Sequence, residues 1–546
     1  MKKLIQLCFL ASLCLYGSTL KAQSKVADSP PDKDLVYQSG FPGQESFRSS
    51  ASLGEATPVV VYVETKRIES VDSMLFQLWD PYLNENDLPL PEVAQLNLSQ
   101  GTMYDGSRAT MRGQWESKPI SGYGRLSLRF NKFTYLDRFL VEPGDSVRIR
   151  LDFVNARMLF SGPAAKKFRV QYELANAYEN YRYDQNPTMF TGDSDYWGYS
   201  TEDSLSILNI KNQQSSIRRK MEFVSPGPVG LSHLENIFSM DISSHPGFDI
   251  LDFYQGKVGE DFLEILRADL IGRLHFDQVF KFSTYYMEDS SHREFFQEKI
   301  LGKNIPIPAA AKYSAYFPEY IYQKLAIESA LSKEPFRHLL GHLPQEVLDQ
   351  VYAIYIIKNY RLFKNSNRQF ELALDQIQTP WVKEEINRLY SAQGIGQTIS
   401  EIPLVDRQGN EISLNSLQGK TLLISFWLPG CQFSSNAYQS LIKPTEQYFT
   451  EDEDIEFVYI SHDRLPERWN NNIESGNYST EESLNLNAPG PPHPFMEYYN
   501  IRYFPTFMVV DKDGTVQNIG NIPDSSEELI HYLESINAES KPNQSK

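Results

Sequence analysis

Alternation of apolar and polar positions marks the first patterned stretch of the chain. The run VVVYVET from Val59, then GRLSLRF, DRFLVEPGDSVRIRLDF and ARMLFSG, are rich in strand formers, with strict period-two alternation clearest from Ser146 to Phe153. Glu142, Pro143, Gly144 and Asp145 break the alternation with the chemistry of a tight turn, which accounts for them without any further role. The basic residues from Arg148 to Arg157 read as a solvated strand face. Together these features predict an all-β, sandwich-like domain over residues 57–163, preceded at 23–56 by a polar flexible segment rich in Ser, Gly, Pro and charge.

The period then changes. Apolar residues recur at helical spacing over Lys166–Tyr181, Ser204–Phe223, Gly259–Ile271, His292–Lys299, Ala309–Leu331, Gln345–Tyr360 and Gln369–Gln376. The segments SPGPVGLS and SSHPGF read as loops between them, so residues 164–395 are expected to be all-α. Most histidines fall here singly. His338 and His342 stand at i, i+4, but Gly341 and Pro344 disturb the helix and no carboxylate follows His338 as a zinc peptidase needs, so no metal site is read. The aromatics of YSAYFPEYIYQKL have the spacing of a buried helix seam, with a binding groove as the alternative.

The third pattern carries chemistry. TLLISFW, Thr421–Trp427, suits a central strand; it breaks at Pro429 and Gly430 and puts Cys431 where a helix starts. Backbone N–H groups and the helix dipole at such a position favour thiolate over thiol. A polar helix over Ser434–Phe449, a strand IEFVYIS ending at His462 and Asp463, and YFPTFMVVDKDGTV complete the order βαβ followed by ββα. The insertion from Asn470 to His493 is expected to drape near the cysteine.

With these residues in place, the region from Glu401 to Asn537 resembles the thioredoxin-like domains of the TlpA and alkyl-hydroperoxide-reductase superfamily, of the kind that end larger exported proteins of Bacteroidetes. The resemblance rests on IPLVDRQGNEISLNSLQGK, LLISFW, the cysteine four residues after Trp427, Phe504-Pro505-Thr506 and the VVDKDGTV hairpin. FLVEPGDSVRIRLDF followed by MLFSGPAAKKF is similar to the β-domains that precede such modules. The resemblance implies an α/β thioredoxin-like fold over 396–538 and a cis peptide before Pro505 that faces Cys431; residues 539–546 are expected to be a flexible tail. The resemblance also implies supporting roles for Trp427, Pro429, Gly430, Phe504 and Thr506.

The departure from that family is at the second cysteine position. Cys431-Gln432-Phe433-Ser434 stands where disulfide shuttles carry Cys-x-x-Cys. Ser434 can donate a hydrogen bond to a thiolate, but it cannot attack a mixed disulfide. Ser425 replaces the buried acid that many thioredoxins place two residues before the tryptophan. His462 and Asp463 lie at the same end of the sheet as Cys431, where a Cys-His base pair is the alternative to a plain loop role.

The first residues set the expected compartment. Two lysines, an apolar run from Leu4 to about Tyr16 and a small residue at Ala22 read as a secretory signal over 1–22. The expected protein is exported and periplasmic, with an uncleaved or lipidated anchor as the alternative and no integral span in the mature chain. Two of the three cysteines, Cys8 and Cys14, lie in that leader, so the mature chain keeps one thiol and forms no internal disulfide. With 70 acidic against 52 basic residues, the chain repels nucleic acid, and 546 residues exceed one ordinary core.

The resulting expectation is a thiol-disulfide oxidoreductase without a cofactor. It works by a monothiol route through Cys431, with Ser434 and Pro505 at the site, on protein disulfides or small thiols and with an external reductant. One alternative is a non-catalytic binding or assembly module. The other is a thiol peroxidase, against which Leu428 stands where such enzymes carry threonine.

Overall fold

The alternation from Val59 onward is realised as burial. The computed structural model describes residues 56–539 apart from 67–72, 85–87, 102–109, 131–132, 154–156, 185–187, 191–221, 226, 304, 364, 394–395, 491–492 and 521. The leader, nearly all of the polar segment, the helix expected from Ser204 as far as residue 221, and residues 540–546 lie outside the described residues. The chain divides into two compact units, Met1–Asn84 with Pro89–Val347 and Glu85–Leu88 with Leu348–Lys546.

In the first unit, β1 (Val60–Lys66), β2 (Ser73–Trp79), β3 (Glu92–Asn97), β4 (Ser99–Gln100), β5 (Thr110–Glu116), β6 (Gly124–Phe130), β7 (Phe133–Val141), β8 (Ser146–Asp152) and β9 (Arg157–Ser161) form two sheets. Their orders are β4-β5-β1-β8-β9 and β3-β2-β6-β7. Val61, Val63, Val147 and Ile149 from one sheet share a core with Phe76, Leu126, Leu128 and Phe139 from the other, which makes the pair a sandwich. The EPGD turn joins β7 to β8, with Gly144 at φ 76° and the Asp145 N–H donating to the Glu142 carbonyl at 3.1 Å. Phe168 of α1 (Ala165–Asp184) is fully buried in the same core, so this helix packs directly against the sandwich.

Helices dominate from there. A short parallel ladder, β10 (Thr188–Phe190) with β11 (Glu222–Val224), lies within the helical stretch, so Phe223 is in a strand and not a helix end. Next come α2 (Pro228–Ser239), α3 (Gly247–Phe253), α4 (Glu260–Tyr285) and α5 (Ser290–Phe295), the last continued by a π turn at Phe296–Leu301. They are followed by α6 (Phe317–Ser332), α7 (Gln345–Asn359), α8 (Ser366–Gln376) and α9 (Pro380–Gln393).

Two segments read as loops therefore contain helix starts: Pro228 opens α2 and Gly247 opens α3. Proline lacks only an N–H that the first helical turn would leave unpaired, so it starts a helix as readily as it ends one. α4 runs well past the expected Ile271. Gly272 permits this, because a Cβ there would lie 2.6 Å from the Phe317 backbone, where α6 crosses. The expected helix Ala309–Leu331 is split into a 3-10 turn, Ala309–Tyr313, and α6. Phe317, Tyr320 and Tyr322 are buried, as a helix seam requires. A buried pair ties strand to helix: Arg125 of β6 meets Asp269 of α4 at 2.6 Å, and Ser314 Oγ and the Ala315 N–H also donate to Asp269.

The second unit contains a seven-stranded mixed sheet. Its strands are β12 (Leu404–Asp406), β13 (Glu411–Ile412), β14 (Thr421–Trp427), β15 (Ile455–Ser461), β16 (Leu484–Asn487), β17 (Thr506–Val510) and β18 (Val516–Ile519), in the order β13-β12-β16-β15-β14-β17-β18. Between them run α10 (Gln432–Ala437), α11 (Lys443–Tyr448), α12 (Pro466–Glu474) and α13 (Pro494–Tyr498), and α14 (Ser526–Glu539) closes the domain. Every residue of β14 is buried: Leu422, Ile424 and Phe426 face one core, Leu423 and Trp427 the other.

Two expectations change here. The polar helix over Ser434–Phe449 is interrupted by a π turn, Tyr438–Ile442, just before Pro444, which has no N–H to give to the helical ladder. The insertion Asn470–His493 is not merely draped over the site: it supplies β16, parallel to β15 from Val458 to Ser461.

Candidate functional site

The site begins with a backbone turn. β14 gives way to Leu428-Pro429-Gly430-Cys431, where the Cys431 N–H donates to the Leu428 carbonyl at 3.1 Å and Gly430 has φ 82°. Proline second and a positive-φ glycine third are the requirements of a type II turn. A Cβ on Gly430 would meet nothing within 4 Å, so the glycine is demanded by the backbone and not by space. Cys431 is the cap residue of α10, its carbonyl accepting from the Ser435 N–H at 3.2 Å.

The thiol faces the chain segment before β17. The half-buried Cys431 donates through Sγ to the Phe504 carbonyl at 3.5 Å, and the Phe504–Pro505 peptide is cis. Thr506 Oγ1 donates to the Tyr503 carbonyl at 2.7 Å, which secures the same bend. Pro429, Gly430, Cys431, Phe504, Pro505 and Thr506 are thus gathered at one end of the sheet. Ser434 is buried at 3 % exposure, and its Oγ has no hydrogen-bond partner among the described residues, Cys431 included. The hydrogen bond that a serine there could give the sulfur is not made. Phe433 is 64 % exposed beside the thiol.

Support for the turn comes from a residue that no motif pointed to. Tyr478, in the insertion, stacks on Trp427 with ring centroids 4.6 Å apart and planes 10° from parallel. Its hydroxyl accepts the Gly430 N–H at 3.0 Å. Trp427 is buried in the core beneath, and the insertion thereby clamps both ends of the cysteine turn. One aromatic in a polar segment has no period, so only the return of β16 to the sheet brings it here.

His462 and Asp463 do lie at this end of the sheet, each with its own partner. His462 Nδ1 lies 2.6 Å from the Ala488 carbonyl, and since a carbonyl only accepts, that nitrogen carries a proton. The ring stacks on Phe504 at 6.0 Å. Burial pushes the His462 pKa below its ordinary value against the effect of the Ala488 bond, and Arg464 and Arg502 reinforce burial. Burial works the opposite way on Asp463, but the Arg468 guanidinium, at 2.6 and 2.7 Å, and the Leu465 and Arg464 N–H groups outweigh it and hold the carboxyl below its usual range. Asp463 is committed to Arg468, and neither residue bonds Cys431.

The remaining candidates stand apart. His342 ends a 3-10 turn, Phe336–His342, so His338 and His342 do not share an α-helical face, and His338 lies 4.0 Å from Glu334. Among the described residues no group of three or more His, Cys, Asp or Glu side chains is placed to hold a metal ion. Among them, too, no helix is long and apolar enough to cross a membrane.

Residues 419–516 match the thioredoxin-like family, and the C-terminal region is a thioredoxin-like domain. Solved structures similar to this region include the thioredoxin domain of a thiol-disulfide oxidoreductase from Bacteroides vulgatus, at 26% identity, covering 26% of this chain and 99% of that one with a TM-score of 0.23. A thiol-disulfide oxidoreductase from Bacteroides fragilis is 18% identical and covers 26% of this chain and 98% of its own, TM-score 0.22. A secreted disulfide oxidoreductase of Mycobacterium tuberculosis is 22% identical over 27% and 98%, TM-score 0.21. No curated protein matches the chain.

Proposed function

We propose that the protein is an exported, periplasmic thiol-disulfide oxidoreductase that works through a single thiol. The observation that carries this reading is the placement of Cys431 at a helix start, its sulfur against the carbonyl before a cis-proline. In the first step the Cys431 thiolate attacks one sulfur of a partner disulfide. The partner S–S bond breaks, a mixed disulfide forms, and the departing partner sulfur takes up a proton. With Ser434 in place of a second cysteine, an external thiolate then attacks the partner sulfur, giving a new disulfide and returning the Cys431 thiolate. Electrons balance, because one disulfide is exchanged for another. Pro505, beside the sulfur, aligns the partner backbone, and Tyr478 and Trp427 hold the turn that presents the sulfur.

Non-reducing electrophoresis of protein from the exported compartment tests the proposal. The wild type should accumulate Cys431-dependent adducts under mild oxidation, and Cys431→Ser should accumulate none. Ser434→Cys should release the adducts faster and gain disulfide-reductase activity with an external reductant. That exchange sacrifices no hydrogen bond among the described residues, where the serine hydroxyl has no partner. Absence of adducts together with an inactive Ser434→Cys protein would refute the oxidoreductase and leave a binding or assembly module.

A further inference from the structure

Helix α6 carries a row of mixed aliphatic and charged side chains. Ile321, Lys324, Leu325 and Glu328 follow at spacings of three and four, the neighbours on one helix face. They wall a cleft of about 350 Å³, completed by Leu301 and Lys303 after α5 and by His342. The volume lies at the lower end of the range of small-molecule sites. Its apolar wall is wholly aliphatic, being Leu301, Ile321 and Leu325, so a flat aromatic ligand would find nothing to stack on.

Charge distinguishes the cleft from the rest of the chain. The sequence has 70 acidic and 52 basic residues, yet here two lysines and a histidine face one carboxylate. Among the described residues neither Lys303 nor Lys324 forms an ion pair, although Lys303 Nζ lies 5.9 Å from the Phe238 ring. Lys324 and Glu328 stand four apart in the less favourable order, lysine first, and do not pair. Burial pushes Lys324 below its ordinary pKa and Glu328 above it, so neither charge is well hydrated. Both ammonium groups also act on His275 deeper in, which burial chiefly, with Lys303 and Lys324, lowers to about 4.

We propose that this cleft binds an aliphatic carboxylate, with its hydrocarbon against Leu301, Ile321 and Leu325 and its carboxylate between Lys303 and Lys324. The Lys324 ammonium, partly dehydrated and without an ion pair among the described residues, gains a charge-assisted hydrogen bond from such a ligand, and the exposed Lys303 adds a second positive charge. An organic cation is repelled by the same pair. The cleft belongs to the first compact unit and Cys431 to the second, and this proposal does not depend on the redox proposal.

Calorimetric titration of the full chain with decanoate, decanol and decyltrimethylammonium, each below its aggregation concentration, tests it. Decanoate should bind saturably at one site, decanol more weakly, and decyltrimethylammonium weakest of all. Lys303→Met with Lys324→Met should weaken decanoate about tenfold, the worth of one charge-assisted hydrogen bond, while leaving decanol little changed. Leu301→Trp, which fills the cleft without altering charge, should weaken both. Circular dichroism checks that each variant is folded. No saturable decanoate binding, equal affinity for the cation, full affinity in the folded lysine variant, or binding of poly-glutamate in place of decanoate would each overturn the proposal.

Discussion

Replacing Tyr478 by phenylalanine isolates the hydroxyl that holds the cysteine turn. The variant keeps the ring, and with it the stack on Trp427 at 4.6 Å, while removing the acceptor of the Gly430 N–H at 3.0 Å. A hydrogen bond of this kind contributes about 1 kcal/mol net, and because Gly430 itself is exposed, water takes over part of the acceptor's role. About 1 kcal/mol corresponds to about a fivefold change in local opening. Hydrogen exchange of the Gly430 amide in the full chain should therefore quicken about fivefold in Tyr478→Phe, with β14 and β15 amides unchanged. Tyr478→Ala removes the ring as well, from a site only 7 % exposed, and should cost about 3–5 kcal/mol. Exchange must be read at individual amides, since a chain of two compact units has no single unfolding free energy. If Gly430 is as protected in Tyr478→Phe as in the wild type, or if the two variants are equally damaged, the hydroxyl does not hold the turn.

Three other outcomes follow from buried charges and the empty serine site. Asp463, held below its ordinary pKa, contributes stability that is present above the unfolded value of about 3.9 and is lost as pH falls through the lower folded value. Arg468→Gln removes the chief opposing charge, so acid loss of the C-terminal domain, followed by hydrogen exchange of β15, should begin at higher pH; an unchanged acid limb contradicts the assignment. Asp269→Ala leaves the Arg125 guanidinium, whose side chain is 3% exposed, without its counter-charge and should cost about 3–5 kcal/mol in the first unit, read from hydrogen exchange of β6 amides. A loss below about 1 kcal/mol would show that water reaches the pair. Ser434→Cys should leave the stability of the C-terminal domain within about 1 kcal/mol of wild type, because no hydrogen bond is lost; a larger fall would mean the hydroxyl has a partner in solution.

Wherever the period of the chain was unambiguous, local pattern decided the outcome. β8 alternates as Ser146–Asp152 reads, TLLISFW is the central buried strand, and Pro429, Gly430 and Cys431 form the turn their chemistry demands. These features depend on neighbours a few residues away, and the sequence states them directly. The cis peptide before Pro505 was legible only through family resemblance, not through any local signal. Proline and glycine misled where their meaning depended on context: Pro228 and Gly247, in segments read as loops, each open a helix.

What only the tertiary structure decided is who meets whom across long separations. Tyr478 reaches Gly430 from 48 residues away because β16 joins the sheet, and His462 turns to Ala488 and Phe504 because strand ends converge there. The unmade bond of Ser434 and the gathering of Lys303 and Lys324 at the α6 cleft are likewise invisible in one dimension. A side chain's hydrogen-bond partners and hydration are set by what the folded chain packs against it, and residue type limits only what those partners can be.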